Sequence, residues 1–337
     1  GRAFDEPTDE PYNSCHRSRA HTTAGYVSRL TRNGATVHVL ACSGAKTVAM
    51  WSAADQVDAK TYNTVDGTKH AKALPSQLRQ LEDLDVRPDL IMMTVGGNDA
   101  GFESIVVDCL LWTFCTPPFP WMKSAQETFT EGIRGLPTDL QTTYRSVARV
   151  AEERAGHPVP ILVPAYPVPF PLDGSKPCIA SAQLFSPWTR AFLNSVALAT
   201  NSFTEQQVAL ARSHGIPVWF VEKTAGAFQA GHTYCDTDSW INRITLENLV
   251  SLGADAYVGA QAKYSLPDYL SIIRTLVART AKDQVALLAF RNMLHPTRKG
   301  YEAEAVQLIT WATRHPSLQV APTKPTQRTV RSGPGDA

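Results

Sequence analysis

The chain has 337 residues, 43% of them apolar, and its 32 basic and 31 acidic side chains give a net charge of +1. This balance argues against a nucleic-acid or anionic-membrane partner, because both favour a clustered basic excess. No apolar run reaches the roughly 18 residues of a membrane-spanning helix, so no transmembrane segment is expected. The composition indicates a globular protein with a substantial core.

Predicted strands alternate with predicted helices along most of the chain. Strands are expected over 35–41, 89–95, 159–164 and 216–221. Helices are expected over 19–32, 75–84, 123–155 with a break near 135–137, 186–213, and from Pro296-Thr297 to about Arg314. Strands separated by helices of about ten residues or more are typical of a parallel sheet covered on both faces.

Two segments depart from this alternation. Residues 244–290 are apolar with a helical pattern, which predicts either a lid over a site or, as we favour, extra core helices. Residues 318–337 are rich in Pro, Thr, Lys, Arg, Ser and Gly and predict a flexible tail or linker. The sequence thus predicts one domain over 1–317.

Six cysteines stand at positions 15, 42, 109, 115, 178 and 235. None forms a Cys-x-x-Cys pair, and none combines with His at a zinc-like spacing, so no metal site is expected. An even number without metal spacing suits three disulfides in an oxidising compartment, with six buried thiols as the alternative. Spacing alone leaves about 15 pairings open.

The tripeptide Gly96-Gly97-Asn98 comes directly after the apolar strand 89–95. A parallel strand delivers its next residues to the carboxyl edge of the sheet, where open α/β folds bind their ligands. The two glycines let the backbone turn and approach a bound group, and the Asn98 amide suits a developing oxyanion. On its own the tripeptide also fits an ordinary turn.

Two further loops are expected at the same edge. In the loop 41–45, Gly44 offers a backbone N–H to a substrate oxygen, although on its own a plain strand-ending turn explains this loop better. In the loop 292–301, His295 enters the last helix, and histidine is the side chain best suited to act as a general base. Taken alone, His295 is more simply explained as a structural histidine.

Two other histidines, His157 and His315, also precede proline. His157 lies between a predicted helix and the next strand, which is the amino edge of the sheet and the wrong end for catalysis. His315 follows the last predicted helix. Among the three, His295 alone enters a helix from the expected catalytic edge.

Four short motifs stand in a specific order: Cys15-His16-Arg17-Ser18, Ala41-Cys42-Ser43-Gly44-Ala45, Gly96-Gly97-Asn98-Asp99 and His295-Pro296-Thr297. Together they resemble the SGNH (GDSL-type) hydrolase family, in its secreted esterase/lipase branch. Three further segments also resemble that branch: Ala165-Tyr166-Pro167, Gly231-His232-Thr233-Tyr234-Cys235 and Trp240-Ile241-Asn242. The resemblance runs from about position 13 to position 312 and implies that the helical segment 244–290 is an insertion.

This resemblance implies a three-layer α/β/α fold with a parallel, flavodoxin-like sheet, and ester hydrolysis through a serine nucleophile. It assigns Gly44 and Asn98 to an oxyanion hole and His295 to the general base. It implies a secreted monomer that needs no cofactor and acts on a small-molecule or lipid ester. It also implies the disulfides Cys15–Cys42, Cys109–Cys115 and Cys178–Cys235.

The sequence departs from the family pattern in two places. Asn292 stands where members usually carry an acid three residues before the histidine, so its carbonyl or its amide oxygen would have to orient the His295 ring. The Gly-Asp-Ser block of the nucleophile would fall before Gly1, and Ser14, Ser18 and Ser43 are interpreted as structural.

We therefore expect this chain to be a fragment of a longer product, inactive alone, that lacks the first strand of its sheet. A groove between the strands 35–41 and 89–95 would mark the missing strand.

Two other function classes are compatible with an α/β sequence pattern. A non-catalytic module that binds lipid or glycan on the same fold is the alternative to the hydrolase, since a fold does not determine a function. A dinucleotide-binding oxidoreductase fits the α/β pattern, but no Gly-x-Gly-x-x-Gly follows a strand. The acyl chain and the alcohol of an ester substrate are not predicted.

Overall fold

The computed structural model describes Leu30 and the residues 34–41, 45–51, 76–111, 115–116, 123–174, 176–178, 185–243 and 294–315. The predicted insertion 244–290, the predicted tail 318–337 and most of the predicted helix 19–32 lie outside these residues. No helix in the described ranges is long and apolar enough to cross a membrane.

Helices and strands alternate along the described residues. In chain order the elements are a 3-10 helix Thr47–Met50, α1 Gln77–Asp83, β1 Ile91–Met92, α2 Phe102–Leu111, α3 Ala125–Ala155, β2 Ile161–Pro164, α4 Pro187–Ser213, β3 Val218–Val221, a second 3-10 helix Glu222–Gly226 and α5 Arg298–Thr313. The predictions of α1, α4 and α5 are confirmed to within a few residues. Helix α2 was not predicted.

Hydrogen-bonding side chains at the first turns explain where three of the helices begin. Ser124 caps α3 in a capping box with Glu127, and Ser186 caps α4 just before Pro187. Thr297 caps α5 by accepting the N–H of Gly300. Such caps satisfy backbone donors that a helix start leaves without an intrahelical partner.

The three strands form one parallel sheet in the order β1-β2-β3. Ile161 of β2 lies opposite Ile91 of β1 on one side and Val218 of β3 on the other. Three of the four predicted strands are therefore confirmed, each shorter than predicted. Parallel strands require crossover connections, and α3 and α4 belong to the two crossovers here.

The predicted strand 35–41 is wrong, because the structure assigns no strand to these residues. Its apolar, β-branched composition suits a strand, but four of the seven residues are exposed and none is buried. Strand propensity reflects packing on a half-buried sheet face more than an intrinsic backbone preference. The predicted groove between 35–41 and 89–95 stays a prediction.

The predicted helix break near 135–137 is also wrong, because α3 continues without interruption through Pro137. Proline inside a helix costs about 3 kcal/mol, since it removes a hydrogen bond and crowds the preceding turn. Leu136 and Leu140 flank it and are fully buried, as is Tyr144 one turn further. Burial of these side chains offsets the cost of the proline.

Successive side chains of the strands point to opposite faces of the sheet, and helices cover both faces. On one face, Ile161 and Val163 pack with buried residues of α1, α3 and α4. On the other face, Leu162 packs with Leu308 and Trp311 of α5. The described residues therefore form an α/β fold with a three-stranded parallel sheet between helices. The flavodoxin-like strand order and the missing first strand stay predictions.

Two of the three predicted disulfides are present, Cys109–Cys115 and Cys178–Cys235. The first ties the end of α2 to the loop behind it. The second ties the segment before α4 to the segment after β3. The third predicted pair, Cys15–Cys42, lies outside the described residues.

Candidate functional site

The Gly96-Gly97-Asn98 segment forms a compact turn between β1 and α2, at the carboxyl edge of the sheet. Gly96 has a φ of +106°, a conformation that residues with a side chain rarely adopt. The turn is closed by hydrogen bonds from Ala100 N–H to the Gly96 carbonyl and from Phe102 N–H to the Gly97 carbonyl. We name residues 96–101 the oxyanion turn, after the role that the sequence analysis predicts for Asn98.

Helix α3 supports this turn from behind through Gly132. A Cβ on Gly132 would lie 2.5 Å from the Asp99 carbonyl oxygen and 2.8 Å from the Ala100 Cα. Real Cβ atoms essentially never come so close to backbone atoms, so only glycine allows this approach. The helix therefore sets the position of the two residues that follow Asn98.

Two side chains of the oxyanion turn attach it to the segment 45–47. The Asn98 Nδ2 donates to the Ala45 carbonyl at 2.9 Å. The Asp99 carboxylate accepts from the Thr47 N–H at 3.0 Å and from the Thr47 hydroxyl at 2.7 Å. The structure thus brings Asn98 and Asp99 together with the segment 45–47. Gly44 itself lies outside the described residues, directly before Ala45.

Tyr166, two residues after β2, also contacts the oxyanion turn. Its hydroxyl accepts the Gly97 N–H at 3.0 Å, and a Cβ on Gly97 would lie 3.0 Å from the Tyr166 hydroxyl oxygen. Although part of the Tyr166 residue reaches the surface, burial raises the pKa of its phenol to about 12, and the Asp99 charge acts in the same direction. The hydroxyl therefore stays neutral at ordinary pH.

The loop of His295 is held by a short backbone pairing with 240–242. Asn242 N–H donates to the His295 carbonyl at 2.8 Å, and Leu294 N–H donates to the Asn242 carbonyl at 3.1 Å. Thr297 N–H donates to the Trp240 carbonyl at 2.8 Å. The His295 residue is exposed. Its backbone position follows from these bonds, whereas Asn292 lies outside the described residues.

The motif 231–242 packs behind this pairing. The His232 ring stacks on Trp240 with centroids 3.5 Å apart, and its Nδ1 lies 2.9 Å from the Asp238 carbonyl. Lys299, in the first turn of α5, pairs with the Asp238 carboxylate at 3.2 Å. These contacts are mostly exposed, and they join the start of α5 to the 231–242 segment.

His157 and His315, the two other histidines that precede proline, lie away from the carboxyl edge. His157 is in the turn before β2, with its Nδ1 3.1 Å from the Pro158 carbonyl. His315 follows α5 and stacks on Trp311 with centroids 3.8 Å apart. His157 therefore lies at the amino edge of the sheet, as predicted.

Two of the contacts that attach the oxyanion turn to its neighbours, Thr47–Asp99 and Tyr166–Gly97, were not predicted from the sequence. Tyr166 was noted only as part of the motif Ala165-Tyr166-Pro167. The partners in these two bonds are separated by 52 and 69 positions in the chain. No periodicity in the sequence indicates contacts over such separations.

Within the part of the chain that the structure describes, no three His, Cys, Asp or Glu side chains lie close enough to hold a metal ion.

Three comparisons with known proteins bear on this fold. No family model matches the chain. A lipase from Streptomyces rimosus is 27% identical over 201 residues, which make up 59% of this chain and 65% of that lipase. The aligned sequence therefore spans a little less than two thirds of that relative.

Two solved structures share the architecture. An extracellular lipase from Streptomyces rimosus matches with a TM-score of 0.52 and 21% identity, over 90% of this chain and 92% of that chain. A phospholipase A1 from Streptomyces albidoflavus matches with a TM-score of 0.53 and 19% identity, over 90% and 91%. The chain is a distant relative of lipases and has a lipase-like α/β fold.

Proposed function

We propose that this protein is a secreted carboxylic-ester hydrolase of the SGNH type that works through an acyl-enzyme. The observation that carries the proposal is the bond between Asn98 and Ala45, because it joins two loops that the family pattern assigns to one oxyanion hole. The distant similarity to lipases supports the same chemistry. The two disulfides support secretion, since disulfides persist in oxidising compartments.

The oxyanion hole would consist of the Asn98 amide and the Gly44 N–H. A side-chain amide has two N–H donors, and one of those on Asn98 is used by the Ala45 carbonyl. That bond fixes the plane of the amide, and the second N–H is the proposed donor to the tetrahedral oxyanion. A donor held in place before reaction stabilises the developing charge without reorganisation.

His295 is the proposed general base. It would take the proton of the nucleophilic serine as the serine oxygen bonds to the acyl carbon, and it would return that proton to the leaving alkoxide. Water would then attack the acyl carbon while His295 takes the water proton. His295 would return that proton to the serine oxygen as the acid is released. Asn292, through its carbonyl or its amide oxygen, would hold the ring. The nucleophile would be the serine of the Gly-Asp-Ser block that the family pattern requires.

The test is hydrolysis of p-nitrophenyl butyrate by the whole gene product, including any sequence encoded before Gly1. We expect His295→Ala to lower kcat by at least about a thousandfold. His157→Ala is the matched control, because it also removes a histidine that precedes proline, at the opposite edge of the sheet. Equal rates for parent and His295→Ala would reject the base assignment.

The oxyanion assignment is tested separately by Asn98→Ala. Loss of one such donor typically lowers kcat by about 10²–10³-fold. If the whole gene product binds lipid vesicles or glycans but hydrolyses none of a panel of aryl, glyceride and phospholipid esters, the binding-module alternative replaces the hydrolase.

A further inference from the structure

We propose that Tyr166 and Asn201 are positioning residues that hold the oxyanion turn, and with it the Asn98 amide, in its working orientation. The inference rests on the proposed hydrolase function for its catalytic consequence. Its structural content rests on the contacts alone.

The first step is the contact between Tyr166 and the oxyanion turn. The Gly97 N–H, directly before Asn98 in the chain, donates to the Tyr166 hydroxyl at 3.0 Å. The Tyr166 ring also packs so closely on Gly97 that a Cβ there would lie 3.0 Å from the ring carbon Cζ. The Tyr166 side chain therefore limits both the orientation of the Gly97 N–H and how closely the Gly97 backbone can approach the ring.

The second step is the attachment of Tyr166 itself. Asn201, buried on α4, accepts the Tyr166 N–H at 2.7 Å through its Oδ1 and donates to the Tyr166 carbonyl at 2.8 Å through its Nδ2. A neighbouring strand would bond both backbone groups of a residue in the same way. Tyr166 is thus fixed at its backbone by α4 and at its hydroxyl by the turn.

The third step is the match between these contacts and the task. Misplacement of a catalytic group by about 1 Å can lower a rate by about a hundredfold. The Asn98 amide has one bond to Ala45, and the peptide before it has the bond to Tyr166. Removing the Tyr166 hydroxyl takes away one of these two constraints while leaving every proposed reacting group in place.

The chain supplies matched controls for both positioning residues. Tyr144 is a neighbouring tyrosine, fully buried, and its hydroxyl has no hydrogen-bond partner among the described residues. Asn194 lies two turns before Asn201 on the same helix and holds Phe170 in the same manner, at 3.1 Å and 3.2 Å. Neither control residue contacts Gly97 through its side-chain hydrogen bonds.

The experiment compares Tyr166→Phe with Tyr144→Phe in the whole gene product, by ester kinetics and by amide hydrogen exchange at Gly97. We expect Tyr166→Phe to lower kcat about 10- to 100-fold with KM within about twofold, and to speed Gly97 exchange by about tenfold or more. The pH profile should keep its shape, because His295 sets it. Tyr144→Phe should match the parent in both measurements.

Asn201→Ala and Asn194→Ala extend the comparison. Both remove a buried amide from α4, so both should lower thermal stability, but we expect only Asn201→Ala to speed exchange at Gly97 and to lower kcat.

The outcomes separate this proposal from the proposed function. Unchanged Gly97 exchange in Tyr166→Phe refutes the proposal, whatever the activity of the parent. Faster exchange with an unchanged kcat refutes the positioning role in catalysis. If the parent hydrolyses no ester, the hydrolase is refuted. Faster Gly97 exchange in Tyr166→Phe than in that parent would still support the contact of Tyr166 with the turn.

Discussion

Replacement of Gly132 by alanine tests how tightly α3 holds the oxyanion turn. The new Cβ would lie 2.5 Å from the Asp99 carbonyl oxygen and 2.8 Å from the Ala100 Cα, and neither backbone atom can rotate away. Such overpacking costs about 1–3 kcal/mol, because the helix or the turn has to shift. A glycine-to-alanine change inside a helix also contributes about 1 kcal/mol of stability, which offsets part of that cost.

Gly135, one turn later on the same helix, separates these two effects. Among the described residues, a Cβ there would meet nothing closer than a carboxylate oxygen of Asp139 at 3.9 Å, so Gly135→Ala gains helix propensity without a clash. The difference in unfolding free energy between Gly132→Ala and Gly135→Ala, measured by urea denaturation, should therefore be about 1–3 kcal/mol. Because the shift reaches the residues beside Asn98, we also expect a lower kcat in Gly132→Ala alone. Equal stabilities of the two variants would refute the close approach of α3 to the turn.

Three further predictions concern stability. Thr297→Ala removes the cap of α5 and should cost about 1 kcal/mol in urea denaturation, whereas Thr297→Ser should cost much less. Burial raises the pKa of Asp236, but hydrogen bonds, that from Lys176 foremost, outweigh it and lower the pKa overall. The stability from Asp236 is thus present above its unfolded pKa of about 4 and lost as pH falls through the folded pKa, so parent and Asp236→Asn should converge in unfolding free energy at acid pH. From their sequence separations of 57 and 6, chain entropy predicts losses of about 4 kcal/mol for Ser replacement of Cys178–Cys235 and about 2 kcal/mol for Cys109–Cys115, measurable as midpoint shifts in denaturant.

The sequence was a good guide to elements whose local signals and burial agree. Helix α4 shows this best, because Ser186 and Pro187 mark its start and an apolar stripe runs along its length. The segment 35–41 shows the opposite, since its apolar, β-branched residues predict a strand that the structure does not contain. Pro137 predicts a helix break that the structure does not contain, because the burial of its neighbours decides whether a proline ends a helix.

The candidate site was predictable only where a short motif carries its own chemistry. Asn98 follows a strand and two glycines, so its place at the carboxyl edge could be inferred from the chain alone. The Tyr166–Gly97 bond could not, because it depends on how two loops from neighbouring strands face each other. The same holds for Gly132, whose need to be glycine becomes visible only when the turn packs against it.

The segment that carries Tyr166 explains why side-chain amides are used at this edge. Prolines at 167, 169 and 171 have no N–H, so they cannot donate to a neighbouring strand, and β2 ends at Pro164. The intervening N–H groups all have acceptors: Tyr166 donates to Asn201 Oδ1, Val168 to the Ala225 carbonyl, Phe170 to Asn194 Oδ1 and Leu172 to Gln229 Oε1.

Alternation of proline with a bonded residue therefore gives an extended segment outside the sheet. Three of its four N–H groups bond to side-chain amides, and two of these amides come from α4. Each of these side-chain bonds can be removed by a single substitution, whereas hydrogen bonds from the backbone of a neighbouring strand could not. Because of this construction, the loss of Asn201 should release Tyr166 and the oxyanion turn while the Asn194 bonds still hold Phe170, two turns of helix away.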